Sequence, residues 1–275
     1  MILLPTLAGC LLVAKEPPAI RRQLDPGDPV HVAAGLDTAC AVYESGHVAC
    51  SKKLKDVPND GVYLSVDAGY GWCAVRMDGT LTCYGDGVSD PSGEYTKVSM
   101  GWEAACAIDE DGELECWSPV DDDALADAPT GAFQDVSVGE RNACGVTDGG
   151  DVLCWGDEES EVRDEPRGDF DYVAVADDAA CAVYASGGLE CWGDGGQHGL
   201  LEAPDGDFQA ITGGWSHFCA LALDGSVECW GDDTEGQADP PLGTFLQIDA
   251  GDTSTCGVRN DGDVQCWGAL ASVSL

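Results

Sequence analysis

Cysteine is the residue type in this chain with the most chemistry open to it, and fifteen are present. Fourteen form seven pairs: Cys40/Cys50, Cys73/Cys83, Cys106/Cys116, Cys144/Cys154, Cys181/Cys191, Cys219/Cys229 and Cys256/Cys266. Within every pair the two residues are ten positions apart. Paired thiols can bind zinc, supply a nucleophile or oxidise to a disulfide. Zinc sites use close C-x2–4-C spacing in sets of four ligands, which C-x9-C does not match. Only four histidines, His31, His47, His198 and His217, could complete such sets. A catalytic thiolate needs a basic partner, and seven equivalent copies without one supply none. Disulfides in an oxidising compartment remain. Closing an 11-residue loop such as Cys219–Cys229 contributes about 2.8 kcal/mol by chain entropy.

The residues around each pair show what must position it. Two after the first Cys comes Val42, Val75, Ile108, Val146, Val183, Leu221 or Val258. Six after it is always Gly: 46, 79, 112, 150, 187, 225 or 262. Eight after it comes Val48, Leu81, Leu114, Val152, Leu189, Val227 or Val264. Trp follows the second Cys in five copies, and Gly precedes the first by five in five, as at Gly35 and Gly214. Period 2 fits a two-stranded ribbon, not a helix. A three-residue loop, Leu223-Asp224-Gly225, with Gly in the left-handed region, pairs Ala222 with Ser226. Counting back, Leu221 faces Val227 and Cys219 faces Cys229. Opposed Cβ atoms lie about 4.5–5.5 Å apart, close to what a disulfide needs. First cysteines recur at 33, 33, 38, 37, 38 and 37 residues, a period that means a solenoid, propeller or array.

Composition narrows the partners. Lys plus Arg is 12 against 51 Asp plus Glu, a net charge of −39. From Gly168 onward Arg259 is the only Lys or Arg. That field repels nucleic acid and anionic lipid and favours solubility and cationic partners. No phosphate loop, serine elbow or HExxH motif is present, so no enzyme and no cofactor is expected. Acidic pairs are too plentiful to single out a glycosidase couple.

The N-terminal "MILLPTLAGCLLVA" is uncharged and too short to span a bilayer as a helix. Three readings stand: a cleaved secretory signal, a lipoprotein signal with Cys10 lipidated in the lipobox-like Leu7-Ala8-Gly9-Cys10, or a buried strand. Cys10 is also the one cysteine without a pair. The chain divides into an export segment (1–14), a Pro-rich linker (15–30), the seven repeats (31–268), and a tail or ring-closing strand (269–275). The segment before His31 could instead supply the closing strand.

"GGWSHFCALALDGSVECWGD" (Gly213 to Asp232) resembles the repeat of the regulator-of-chromosome-condensation family in its Gly-x-x-His, Ala-Leu, Asp-Gly and Trp-Gly signposts. The resemblance spans Val30 to Gly268. It implies an all-β fold, a seven-bladed β-propeller. The repeat length is similar to the compact bacterial branch, which includes a secreted β-lactamase-inhibiting propeller with three strands per blade. The founder's nucleotide exchange and chromatin binding do not carry over to so acidic a chain. The motif His survives only at His217; the equivalent slots hold Thr38, Gly71, Ala104, Asn142, Ala179 and Ser254.

Propeller loops gather at two faces. Those preceding each first Cys share one face and hold Leu36, Asp37, Tyr70, Trp72, Trp102, Glu103, Glu140, Arg141, Asp177, Asp178, Trp215, His217 and Asp252. Of these, Leu36, Tyr70, Trp102, Glu103, Arg141, Asp177, Trp215, His217 and Asp252 are the candidate partner-binding residues, with aromatic anchors set among acids. Packing between blades is an equal role for Trp102 and Trp215, and Trp72 is expected to pack behind its own strand. The long linkers, Val120 to Ala132, Gly156 to Asp169 and Gly231 to Gly243, are expected on the opposite face as solvated acidic loops. They lack EF-hand spacing, so no metal is expected. "SKKLK" (Ser51 to Lys55) is the one basic cluster, a solvated loop or a contact for an acidic neighbour. The expectation is an exported monomer, secreted or lipid-anchored in a bacterial envelope. It binds a protein, with no nucleic acid, and meets membrane only through the anchor. A polysaccharide-acting enzyme using face carboxylates and a purely structural acidic surface protein are the alternatives.

Overall fold

A computed structural model describes residues 27–51, 61–85, 91–102, 104–118, 125, 127–196, 198–273 and 275. Cys10 with the whole export segment, Glu103, and Lys52 to Lys55 of the basic cluster lie outside the described residues.

The protein is a seven-bladed β-propeller of seven three-stranded antiparallel sheets, each contiguous in the chain. The innermost strands are Pro29–Ala34, Tyr63–Ala68, Tyr95–Met100, Phe133–Val138, Phe170–Val175, Phe208–Gly213 and Phe245–Ala250. The predicted hairpin register holds: Cys219 faces Cys229 and Leu221 faces Val227. Gly225 has φ 87°, and its N–H donates to Ala222 O at 2.9 Å.

One disulfide closes each blade. The bonds are Cys40–Cys50, Cys73–Cys83, Cys106–Cys116, Cys144–Cys154, Cys181–Cys191, Cys219–Cys229 and Cys256–Cys266, with Cα–Cα distances of 3.9 to 4.1 Å. The two members of a pair differ in burial, a difference their spacing does not show. The first lies on the middle strand and is fully buried in all seven blades. The second lies on the outermost strand, where no further strand covers it. Cys50, Cys83, Cys116, Cys154, Cys191 and Cys229 are accordingly only partly buried. Cys266 is the exception and is buried, in the cluster that holds Leu270 at the ring closure.

Each turn glycine also serves the next blade. Its carbonyl accepts the N–H of Tyr63, Tyr95, Phe133, Phe170, Phe208 or Phe245 at 2.7 to 2.9 Å. These aromatic rings open the innermost strands and are all buried. Phe245, for example, packs against Cys219 and Leu221 of the preceding blade and Trp267 of its own. The rings were a missed signal, since an aromatic stands ten or eleven before the first Cys in six copies.

The linkers are not confined to the opposite face. Three strands are an odd number, so the third strand exits on the face that carries the loops preceding the first Cys. Asp157 N accordingly bonds Arg141 O at 3.0 Å, and Asn142 Nδ2 donates to Ser160 Oγ at 3.0 Å. The linkers are also not wholly solvated. In four blades the Trp after the second Cys donates its indole N–H to a buried linker residue that precedes its blade. The pairs are Trp155 to Leu125 O (3.0 Å), Trp192 to Val162 O (2.7 Å), Trp230 to Leu200 O (2.9 Å) and Trp267 to Gln237 O (2.9 Å). One buried residue per linker thus anchors an otherwise polar crossing.

Among the described residues no fourth strand joins the closing blade, and the segment before Gly27 lies outside them. Residues 269–272 form turns, and Leu270 is buried against Val32, Ala34 and Ala39 of the first blade. Side chains supply the polar link: Val32 N donates to Gln247 Oε1 at 2.8 Å and Ala34 N to Asp249 Oδ2 at 2.7 Å.

Alkylating the protein without reduction should add no more than one adduct by mass, at Cys10. Glycines 35, 69, 101, 139, 214 and 251 ring the axis, each near the next blade's backbone. A Cβ on Gly101 would overlap Gly139 O, whereas one on Gly188, outside the ring, would meet only Tyr184 Cδ2 at 3.9 Å. Overpacking predicts that Gly101→Ala costs about 2–3 kcal/mol in denaturant unfolding. Gly188→Ala should cost under about 1 kcal/mol, because the added methyl has room and the unfolded chain loses freedom.

Candidate binding site at the axial mouth

Alternation along the innermost strands stacks residues in layers around the axis. One layer holds His31, Ser65, Lys97, Asp135, Tyr172, Ala210 and Gln247. The next holds Ala33, Asp67, Ser99, Ser137, Ala174, Thr212 and Asp249. The glycine ring follows, with Ala176 in its fifth place, and then the mouth loops. A polar chamber of ≈ 970 Å³ fills the wide part and reaches Asp109 to Gly112 at the opposite face.

The second layer caps backbone that no strand covers. Asp67 Oδ2 accepts Met100 N (2.8 Å), Ser99 Oγ accepts Val138 N (3.1 Å), Ser137 Oγ accepts Val175 N (3.0 Å) and Thr212 Oγ1 accepts Ala250 N (2.9 Å). Asp249 does the same for Ala34 across the closure. Lys97 pairs with Asp135, whose other oxygen accepts Val173 N at 2.9 Å. Burial raises the Asp67 and Asp249 pKa values, Asp249 well above its ordinary range with the Asp67 charge adding to the shift. These side chains touch solvent only through the chamber, so protein surrounds their charges. His31 is lowered to about 4, by burial and then by Lys97, and is neutral at pH 7.

The mouth is a pocket of ≈ 90 Å³. Leu36, Tyr70, Trp102, Asp177, Trp215 and Asp252 from the sequence shortlist line it together. Glu140 lines it too; it was in the loop set but not the shortlist. Trp102 and Trp215 come from blades three and six, across the ring. They neither pack between blades nor stand apart, but meet edge-to-face over the axis at 5.2 Å and 89°. Tyr70 lies 5.5 Å from Trp102. Tyr70 is 55% and Trp215 37% exposed. Backbone bonds tie the rim: Asp177 N to Trp215 O at 3.0 Å and Trp215 N to Asp252 O at 3.2 Å. Arg141 stands at the rim, bonding Asp178 at 2.6 Å and Asp157 at 3.4 Å, with Asp177 4.0 Å away.

Two residues fall elsewhere. Trp72 is buried between the first two blades, as its strand position implied. His217 is fully buried and is no partner contact, which corrects the shortlist. Its Nε2 lies 2.8 Å from Thr255 Oγ1 of the next blade, and burial lowers its pKa to about 4. Counting back from Cys219 places it inside a strand, where it faces the neighbouring blade.

Carboxyls at the mouth are strained toward protonation. Burial and then the Asp177 charge raise Glu140. Burial and then Asp178 raise Asp177. Burial alone raises Asp252.

Residues 133–160, 208–237 and 245–269 match the Regulator of chromosome condensation (RCC1) repeat. These are blades four, six and seven. No curated protein matches the sequence. Among solved structures, the CRINKLY WD40 ectodomain of the Arabidopsis thaliana receptor kinase ACR4 is similar, with a TM-score of 0.73 at 22% identity, over 88% of this chain and 96% of that one. The ectodomain of the Physcomitrella patens receptor kinase CR4 has a TM-score of 0.73 at 21% identity, over 88% and 74%. Prp20p of Saccharomyces cerevisiae, characterised for binding Gsp1p and histones, has a TM-score of 0.66 at 12% identity, over 80% of each chain. At these identities the likeness is one of fold.

Asp249 offers a test of the chamber electrostatics. A carboxyl whose folded pKa is raised contributes stability below its unfolded pKa, and this is lost as pH rises through the folded value. Asn keeps an acceptor for Ala34 N and replaces the oxygen that accepts from Thr212 Oγ1 with an N–H that can donate to it, without the buried charge. Asp249→Asn should therefore raise the melting temperature at pH 7, and the gain should shrink toward pH 4. Equal gains at both pH values would contradict this origin.

Proposed function

We propose that the protein is an exported, non-enzymatic scaffold that binds a protein partner through its axial mouth. One observation carries the reading: exposed Tyr70 and Trp215 and partly buried Trp102 converge on a pocket set in a glycine-ringed, disulfide-clamped frame. Aromatic anchors held rigidly lose little entropy on binding. Seven disulfides support an oxidising compartment. The ACR4 and CR4 neighbours are receptor ectodomains, and Prp20p binds proteins, which agrees with both halves of the proposal. In the finer reading, residues 1–14 direct export, Cys10 carries a lipid, the stretch from 15 to 28 forms the tether, since Pro29 and Val30 already belong to the first blade, and the monomeric propeller belongs to the compact bacterial branch. The net charge of −39 favours a cationic partner.

The alternative of a polysaccharide-acting enzyme draws on Glu140 and Asp177, two adjacent carboxyls raised by burial and by neighbouring acids. Turnover of a polysaccharide that is lost in Glu140→Gln would replace the scaffold reading.

Crosslinking capture from the native source tests the proposal. Wild-type protein should retain a partner that the Trp102→Ala/Trp215→Ala variant captures on the order of 30-fold less well, as hot-spot loss of about 2 kcal/mol implies. Unchanged capture by a folded variant would move the binding site off this face.

A further inference from the structure

We propose that the axial mouth receives the cationic side chain of a partner, an arginine or lysine, between the Trp102–Trp215 pair and the carboxyls of Glu140, Asp177 and Asp252. The inference rests on the scaffold reading and names the chemistry its partner must present.

The pocket combines two unlike kinds of surface. Leu36, Tyr70, Trp102 and Trp215 supply aliphatic and aromatic area, and Glu140, Asp177 and Asp252 supply three carboxyls. An aromatic face attracts a cation while its edge and neighbouring aliphatics cover an alkyl stem. A purely apolar guest would leave the carboxyls desolvated without compensation. A hydrated anion would meet both carboxylates and ring faces of the wrong sign.

The charge count at the mouth is unbalanced. Glu140, Asp177, Asp178 and Asp252 face one described cation, Arg141. That guanidinium is committed outward, to Asp178 at 2.6 Å and Asp157 at 3.4 Å. It stands only within 4.0 Å of Asp177 Oδ1, and that oxygen is buried with no hydrogen-bond partner. The upward shifts of Glu140, Asp177 and Asp252 come first from burial, then for two of them from neighbouring acids. A cation placed among them would offset the neighbouring negative charges and give the buried carboxyls a partner. A metal ion is a poorer guest, since among the described residues no three of His, Cys, Asp and Glu form a group able to hold one. At ≈ 90 Å³ the pocket suits the end of one side chain; whole small-molecule sites run to about 300 Å³ and more.

The test uses the folded, disulfide-intact protein labelled with ¹⁵N. Indole N–H signals of Trp102 and Trp215 are assigned by single Trp→Phe substitutions. N-acetyl-arginine methylamide and N-acetyl-lysine methylamide are titrated in at pH 7, with N-acetyl-norleucine methylamide as the neutral control. Saturable shifts of both indoles with a cationic probe, absent with norleucine, are expected. The stronger of the two probes tells which side chain the partner supplies. Glu140→Gln/Asp252→Asn should weaken that binding at least about tenfold while leaving the chamber residues' signals in place. Equal shifts with norleucine, or none with either cation, would overturn the inference. The scaffold reading fails separately, when capture survives loss of both tryptophans. Capture that needs the tryptophans, together with a mouth indifferent to both cations, would remove only the present inference.

Discussion

The free edge of each innermost strand is the constraint on which the ring depends. Such a strand pairs with its own blade on one side only, and the other row of N–H and C=O groups points where no strand can lie. Uncovered edges are costly when buried and adhesive when exposed. Here a neighbouring blade reaches across with Asp67, Ser99, Ser137, Thr212 or Asp249 to cap an N–H at each of these crossings. Each bond is worth only about 1 kcal/mol net. Their joint effect is to set the height of every blade against its neighbour, and that height decides which residues reach the mouth. The same capping carries across the ring closure. Pro29 begins the first innermost strand and has no N–H to donate to the preceding turn glycine, while Gln247 and Asp249 cap the N–H groups of Val32 and Ala34 there.

The disulfides answer a different weakness. Outer strands are short, three residues at Val48–Cys50 and no more than five elsewhere, and are paired on one side. A three-stranded blade offers them little to hold. A cross-link from the middle strand fixes the outer strand at its centre. It does so where the apolar layer is thin, because each interface core holds only a handful of residues such as Val42, Val48, Tyr63 and Val66. The partial burial of Cys83, Cys116, Cys154 and Cys191 marks the same thinness, since packing alone does not enclose the strand that each one holds. The Trp anchor then ties the incoming linker in the later blades. The first two blades carry Ser51 and Tyr84 at the position after the second Cys, outside that anchoring pattern.

What could be seen in the sequence was what is local to a repeat. The turn glycine, the opposed cysteines and the strand period all follow from contacts within about a dozen residues, and Cys219 and Cys229 meet as their spacing requires. Contacts between repeats were harder to see. That Trp102 meets Trp215 depends on the curvature of the whole ring, since 113 residues separate them. The face from which linkers emerge depends on the parity of the strands. His217 looked like a loop residue because its motif lies near a loop, yet one further count along the ribbon puts it in the strand. The aromatic that opens each innermost strand was visible as a recurrence, but its role appears only when the next blade's turn is beside it.

A repeated fold carries its own control. Where all seven blades face the same physical demand, the same residue recurs: Gly at the turn, Cys at the clamp, small residues around the axis. One step outward from the glycine ring, that demand stops. The seven mouth positions hold Leu36, Tyr70, Trp102, Glu140, Asp177, Trp215 and Asp252, with no common type and a division between apolar and acidic side chains. Nothing in packing the blades requires that division, since blades four and seven are built on the same frame as blades three and six. The mouth is where the ring departs from its own symmetry, on the most rigid ground it has, and an asymmetric ligand needs both properties at once.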